Sequence, residues 1–200
     1  MKIDILTIGH SSLSYPDFLQ NLQKAGVTAI ADVRSSPFSR HFPQFNRDVL
    51  ERELKADGIA YSFLGDQLGG RPKAQSLYRD GVANYQAMAL EPSFRAGLDR
   101  VIEGGRKYRI ALMCSEQDPL DCHRCLLVGR ALTSRSISTG HILGDGTTID
   151  QTAVEEALLR AHGGDHDDLF ASLAERIDLA YQGRARKVAY QADETLKKAG

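Results

Sequence analysis

Five short apolar runs, KIDILTIGH, VTAIADVR, IAYSFLG, KYRIALMC and ISTGHIL, recur through the first 143 residues, and stretches of helical spacing stand between them. Runs of this length, rich in Ile and Val and bounded by Gly or polar turns, read as strands buried on both faces. A strand–helix alternation of this kind closes into an α/β fold, because each helix carries the chain back over the sheet to start the next parallel strand. The expected architecture is a doubly wound, mostly parallel sheet flanked by helices, over residues 1–149.

The intervening segments carry their own punctuation. Ser14 stands where it can cap a helix through Gly26, with Phe18, Leu19 and Leu22 on one face, and Asn46 stands likewise before a helix that stops at Gly58. Residues 35–45, SSPFSRHFPQF, hold two prolines and no period, so they read as a long loop. Residues 64–81 read as a second loop, residues 82–91 and 92–105 as two helices, and DCHRCLLVGRAL as a helix opened by Cys122, His123 and Arg124. Residues 150–200 are polar and helical in period, which predicts a C-terminal helical extension packed on the α/β domain or leading away from it.

With 42% hydrophobic residues among 200, the chain can bury a sizeable core, and a formal charge of −1 supplies no general field for nucleic acid or an anionic membrane. No run approaches the about 20 apolar residues that span a bilayer, and the start is too short an apolar run for a signal peptide. Three closely spaced cysteines do not make a secreted disulfide framework, so the expected compartment is the reducing cytoplasm.

On the expected fold, His10 follows strand one, Asp32 and Arg34 close strand two, Gly65 follows strand three, and Cys114 and Glu116 follow strand four. They meet at the carboxyl edge, where open α/β sheets bind ligands. The segments TIGHSS, DVRSSPFSR, YSFLGDQLGGRP and MCSEQDPLDCHR, in this order, also resemble the domain-of-unknown-function family numbered 488, over roughly residues 3–145. The resemblance implies a cytoplasmic α/β domain whose active site is built from those motifs. Neither Cys125 nor the helical tail belongs to them.

Each motif has a functional and a bland reading. Cys114 and Cys122, beside a helix start whose N–H groups favour negative charge, read as an activated thiol or an anion cradle, with Glu116 and His123 to handle protons, or else as small buried cysteines. Cys114, Cys122, His123 and Cys125 are all competent zinc ligands, but only Cys122 and Cys125 form a C-x₂-C pair, so no metal is expected. No arginine lies five residues after Cys114 or Cys122, which disfavours a tyrosine-phosphatase loop. Asp32, Arg34, Ser39 and Arg40 read as ligand contacts around a proline-stiffened turn, or as an Asp–Arg pair holding a loop shut. His10 reads as general base, ligand donor or plug, beside Ser11. Gly69 and Gly70 would allow close backbone approach, and His41, Phe42 and Phe45 either stack on a planar ligand or pack.

These residues together point to an enzyme, a hydrolase or group transferase, acting on a small anionic, nucleotide-like or phosphorylated substrate without a cofactor. His10, Cys114, Glu116 and His123 would carry the chemistry; Ser11, Asp32, Arg34, Ser39, Arg40, Gly69, Gly70, Cys122 and Arg124 would hold the substrate. The alternatives are a nucleotide-binding or sensing module without turnover, and action on nucleic-acid bases, which the near-neutral charge disfavours. No membrane partner is expected.

Overall fold

The computed structural model describes residues 3–162 and 171–192. Its elements run β1 (Ile5–Gly9), α1 (Tyr15–Lys24), β2 (Ala29–Asp32), α2 (Arg47–Ala56), β3 (Ala60–Phe63) and a single turn α3 (Gly65–Leu68). A hairpin of β4 (Tyr78–Arg79) and β5 (Val82–Ala83) leads to α4 (Tyr85–Leu90), α5 (Pro92–Gly105) and β6 (Ile110–Cys114). A π-helical stretch, Arg124–Gly129, runs straight into α6 (Arg130–Thr133), and then come β7 (Thr139–Ile142), β8 (Thr148–Asp150), α7 (Gln151–Ala161) and α8 (Leu173–Val188).

The main sheet has six strands in the order β3-β2-β6-β1-β7-β8. The first five are mutually parallel and β8 alone is antiparallel. Because helices cover both faces of the sheet at β1, β2 and β6, every residue of these strands is buried, which is why they read as unbroken apolar runs. One face of the sheet packs Leu6, Ile8, Ile30 and Met113 against α1 and α2 through Phe18, Leu22, Leu50 and Leu54. The other packs Ile5, Ala29 and Leu112 against α5, the π-helical stretch and the C-terminal helices, through Leu98, Leu127, Leu158 and Tyr181. Each fully buried Leu or Phe contributes about 1.5–3 kcal/mol. The sheet is thus doubly wound as expected, and α7 and α8 join its core.

Several boundaries differ from the sequence expectation. Ser14 does cap α1, accepting from the Asp17 N–H, and Gly26 ends the turn with φ +69°. Asn46 precedes α2 but does not cap it; its Oδ1 accepts from the Ser39 N–H at 2.7 Å, tying down the loop instead. The helix expected over 82–91 begins only at Tyr85, capped by Asn84, because Val82 and Ala83 pair with β4 across an Asp80–Gly81 turn with both φ values positive. The parts of the expected helical extension that fall on residues 163–170 and 193–200 lie outside the described residues. Among the described residues no helix is long and apolar enough to cross a membrane.

A buried polar chain fastens the C-terminal helices to the sheet. The His141 ring on β7 meets the Thr7 hydroxyl of β1 at 2.9 Å and Gln151 Oε1 of α7 at 2.8 Å. Gln151 accepts as well from Thr139 and donates to the Tyr181 hydroxyl on α8, which donates on to Glu155. Burial pushes the His141 pKa down from 6.5 to about 4. Between those values the unfolded chain takes up a proton that the folded chain refuses, so stability is lost as pH falls through this window. The urea midpoint should decline from pH 6.5 towards pH 4, with about 3 kcal/mol of that loss due to His141. In His141→Gln the decline should be visibly shallower, and a slope identical to that of the natural chain would refute the assignment.

Candidate functional site

Backbone pairing continues past the ends of the three central strands and brings their outgoing loops together. The His10 N–H donates to the Cys114 carbonyl, Ser11 N–H to Ser115, and Val33 N–H to Met113, at 2.9, 2.9 and 3.1 Å. This close approach requires glycine at position 9, where any Cβ would strike the Glu116 carbonyl oxygen. Ser11 itself sits at φ +45°, its backbone in the left-handed region.

Arg34 leaves β2 and folds back onto it. Its Nε and a terminal nitrogen donate to the two oxygens of Asp32 at 2.9 and 2.6 Å, and the Tyr61 hydroxyl donates to the same carboxylate. Its other terminal nitrogen meets His10 Nε2 at 3.3 Å, while His10 Nδ1–H donates to the Ser11 carbonyl at 2.9 Å. Burial, and then the Arg34 charge, push the His10 pKa down from 6.5 to about 4, so the ring is neutral and both its nitrogens are in use. Its face stacks on Phe45 at 4.2 Å between centroids. Asp32, His10 and Phe45 therefore fix Arg34 in a buried position, with an edge of it lining a cleft.

Beside Arg34 the second cluster gathers. Glu116 Oε2 lies 2.9 Å from Cys114 Sγ and 3.0 Å from Cys122 Sγ, and His123 Nδ1 lies 3.6 and 3.9 Å from the same sulfurs. His123 Nε2–H donates to the Val33 carbonyl at 2.9 Å, which turns the Nδ1 lone pair towards the sulfurs. The ring is held in place by Gly70, at which a Cβ would come within 2.8 Å of it. Burial, and then the neighbouring Cys122, raise the Cys114 thiol pKa. Burial also acts to raise Cys122, but hydrogen bonding from Cys114 and the Arg124 charge outweigh it and hold this sulfur well below the usual thiol range.

Arg34, Gly70, Cys114, Glu116 and His123 line one cleft of about 200 Å³. Arg71 and Tyr190, to which the sequence assigns no role, line the same cleft, and the Arg71 guanidinium stacks on the Tyr190 ring at 4.8 Å. Arg71 closes the LGDQLGGR motif and so lay within a flagged segment; Tyr190 follows α8 and had no signal. Cys122 lies directly behind Cys114 and Glu116. Gly69 lets its strand of loop pass the Ser35 side chain. A larger cavity of about 500 Å³ lies among α4, α5 and α8, lined by residues such as Leu90, Arg135 and Gln182. It holds neither cysteine nor histidine, so the smaller cleft is the better candidate for chemistry.

Other expected ligand contacts are placed elsewhere. Ser39 spends its N–H on Asn46 and its hydroxyl on the Phe42 N–H, and Arg40 is exposed; neither lines the cleft. Phe42 and Phe45 pack around His10. Cys125 faces the core, where burial pushes its thiol up to about 12. Arg124, expected at an exposed helix start, is fully buried, and donates to the carbonyls of Glu116 and Gln117 at 2.5 and 2.8 Å. It clamps the loop after β6 and does not reach the cleft. Arg124→Ala would leave two half-buried carbonyls unpaired and a large void in place of a fully buried side chain, so chemical denaturation should show a loss of about 3–5 kcal/mol. A loss under about 1 kcal/mol would contradict the clamp.

A search of curated proteins and a search of solved structures each return no match to the chain. A family model does match, over residues 14–131, a segment that contains Arg34, Arg71 and the whole cysteine–histidine cluster. The chain belongs to the family described as domain of unknown function DUF488.

Proposed function

We propose that the protein is an enzyme that hydrolyses, or transfers a group from, a small anionic substrate bound at the carboxyl ends of its central strands. The observation that carries this reading is one cleft lined both by two arginines and by a cysteine–glutamate–histidine cluster. Asp32 and His10 take three of the Arg34 N–H groups, and the remaining N–H on each terminal nitrogen is what this fixed guanidinium would offer a phosphate or carboxylate. Arg71 would close on the same anion from the solvent side. Glu116 stands between the cleft and the sulfurs, where it can accept or return a proton.

A cleft of about 200 Å³ favours a compact phosphorylated or carboxylated molecule, or one end of a nucleotide, over a nucleic-acid strand. Three unpaired cysteines suit a reducing compartment such as the cytoplasm.

Incubating the protein with panels of phosphomonoesters, nucleotides and small carboxylates, followed by mass analysis, tests the reading. Conversion of one class is expected. Arg71→Ala should raise KM for that class about 10- to 150-fold, in line with about 1.5–3 kcal/mol for a hydrogen bond to a charged group, without changing Tm. Anion binding without conversion would reduce the protein to a sensing module, and no binding of any anion would overturn the reading.

A further inference from the structure

The geometry points to a metal centre: we propose that Cys114, Cys122 and His123 bind one divalent ion of the zinc class, with the fourth position facing the cleft beside Glu116. Its use in catalysis would rest on the reading of the cleft given above; its binding does not.

The argument begins with donor spacing. Tetrahedral zinc, with sulfur at about 2.3 Å and nitrogen at about 2.0–2.1 Å, sets its ligand atoms about 3.5–3.8 Å apart. The sulfurs of Cys114 and Cys122 lie 3.6 and 3.9 Å from His123 Nδ1, and all three donor atoms fall within 4.8 Å of one another. All three residues are buried, so none needs to be recruited from solvent. The Glu116 carboxylate lies on the cleft side of both sulfurs, where it can fill the fourth position or hold the water that does.

The surroundings of the ligands favour the same conclusion. A metal-binding imidazole ordinarily donates its other N–H to a carbonyl or carboxylate, which fixes tautomer and ring plane; His123 does this with Val33 and is packed against Gly70. The Arg124 N–H approaches Cys122 Sγ at 3.5 Å, as backbone amides do towards bound thiolates. Arg124 is a buried cation whose terminal nitrogens meet carbonyls instead of a carboxylate. A divalent ion with two thiolates and one carboxylate carries a net single negative charge, which would balance it. Two soft sulfurs and one imidazole select zinc-class ions over magnesium or calcium. Binding would release the Cys114 thiol proton to solvent and leave both sulfurs as thiolates.

The test is titration of the full chain, purified under reducing conditions and stripped of metal, with Co(II) alone. One equivalent should produce sulfur-to-cobalt charge-transfer bands in the near ultraviolet and the intense visible bands of a tetrahedral site, and zinc should displace it. Cys122→Ser and His123→Asn should each weaken Co(II) binding by about a hundredfold or more. Cys125→Ser should bind as the natural chain does. Should the first two variants not fold, alkylation of the natural chain decides: zinc should protect Cys114 and Cys122, and a chelator should expose both. No Co(II) uptake, bands that persist in Cys122→Ser, or an intact mass lower by two hydrogens from a Cys114–Cys122 disulfide would each overturn the proposal. Titrating inorganic phosphate into the metal-free chain and into Arg71→Ala keeps the two readings apart, because phosphate binding without cobalt uptake refutes the centre alone, and the converse refutes the anion site alone.

Discussion

The arrangement of the whole strand-end region depends on Arg124. A guanidinium at zero exposure has given up its hydration, an expense of several kcal/mol even after relaxation, and it sits near the start of a helix, where the backbone dipole disfavours a cation. What offsets this is the pair of charge-assisted hydrogen bonds to the carbonyls of Glu116 and Gln117, together with the two sulfurs close by. Those carbonyls belong to the loop that carries Glu116, and the Glu116 carbonyl is also the group that excludes a side chain at Gly9. One buried cation thus sets the height of the loop after β6 over the end of β1. His10, Arg34 and Cys114 take their places around that loop.

The central strands were legible because burial on both faces leaves a local record, whereas β3, exposed or half-buried throughout, was legible from its Tyr and Phe alone. β1 and β6 are wholly buried, and a continuous apolar run is the only pattern such a strand can show. β8 was not legible: its residues are only half-buried or exposed, and it pairs antiparallel at the edge next to β7, so its three residues carry no run. The β4–β5 hairpin did have a local signal in Asp80–Gly81, but two-residue strands give no alternation to set beside it. Asn46 shows the opposite failure. A good capping residue stood at the right place, and tertiary structure drew its side chain to Ser39 instead.

For the site, position along the chain identified the edge, while the third dimension assigned the roles. Arginine chemistry is the same in Arg34, Arg40, Arg71 and Arg124, yet one backs onto Asp32 and faces the cleft, one is exposed on the loop, one guards the mouth and one is sealed inside. Cysteine spacing misdirected attention for a related reason. The adjacent pair Cys122 and Cys125 looks like half a metal knuckle, but the helical turn between them sends Cys125 into the core, and the partner of Cys122 is Cys114, eight residues earlier and across a loop.

The cleft joins parts of the chain that differ in standing. The cysteine–glutamate–histidine cluster and both arginines fall within residues 14–131, the segment shared with the family, whereas His10 precedes it and Tyr190 follows it. His10 acts on the cleft only through Arg34, as a neutral acceptor that fixes one guanidinium nitrogen. Tyr190 is placed by different means: its carbonyl accepts from the Ala83 N–H, Gln191 bridges to Val82, and α8 before it is anchored through Tyr181 to Gln151 and the sheet. The outer wall is therefore held by the same polar chain that holds the C-terminal helices. A change at Gln151 or Tyr181 would reach Arg71 by way of Tyr190 without touching a sulfur or a carboxylate of the cluster, so the outer wall of the cleft and the cysteine–histidine cluster rest on separable sets of contacts.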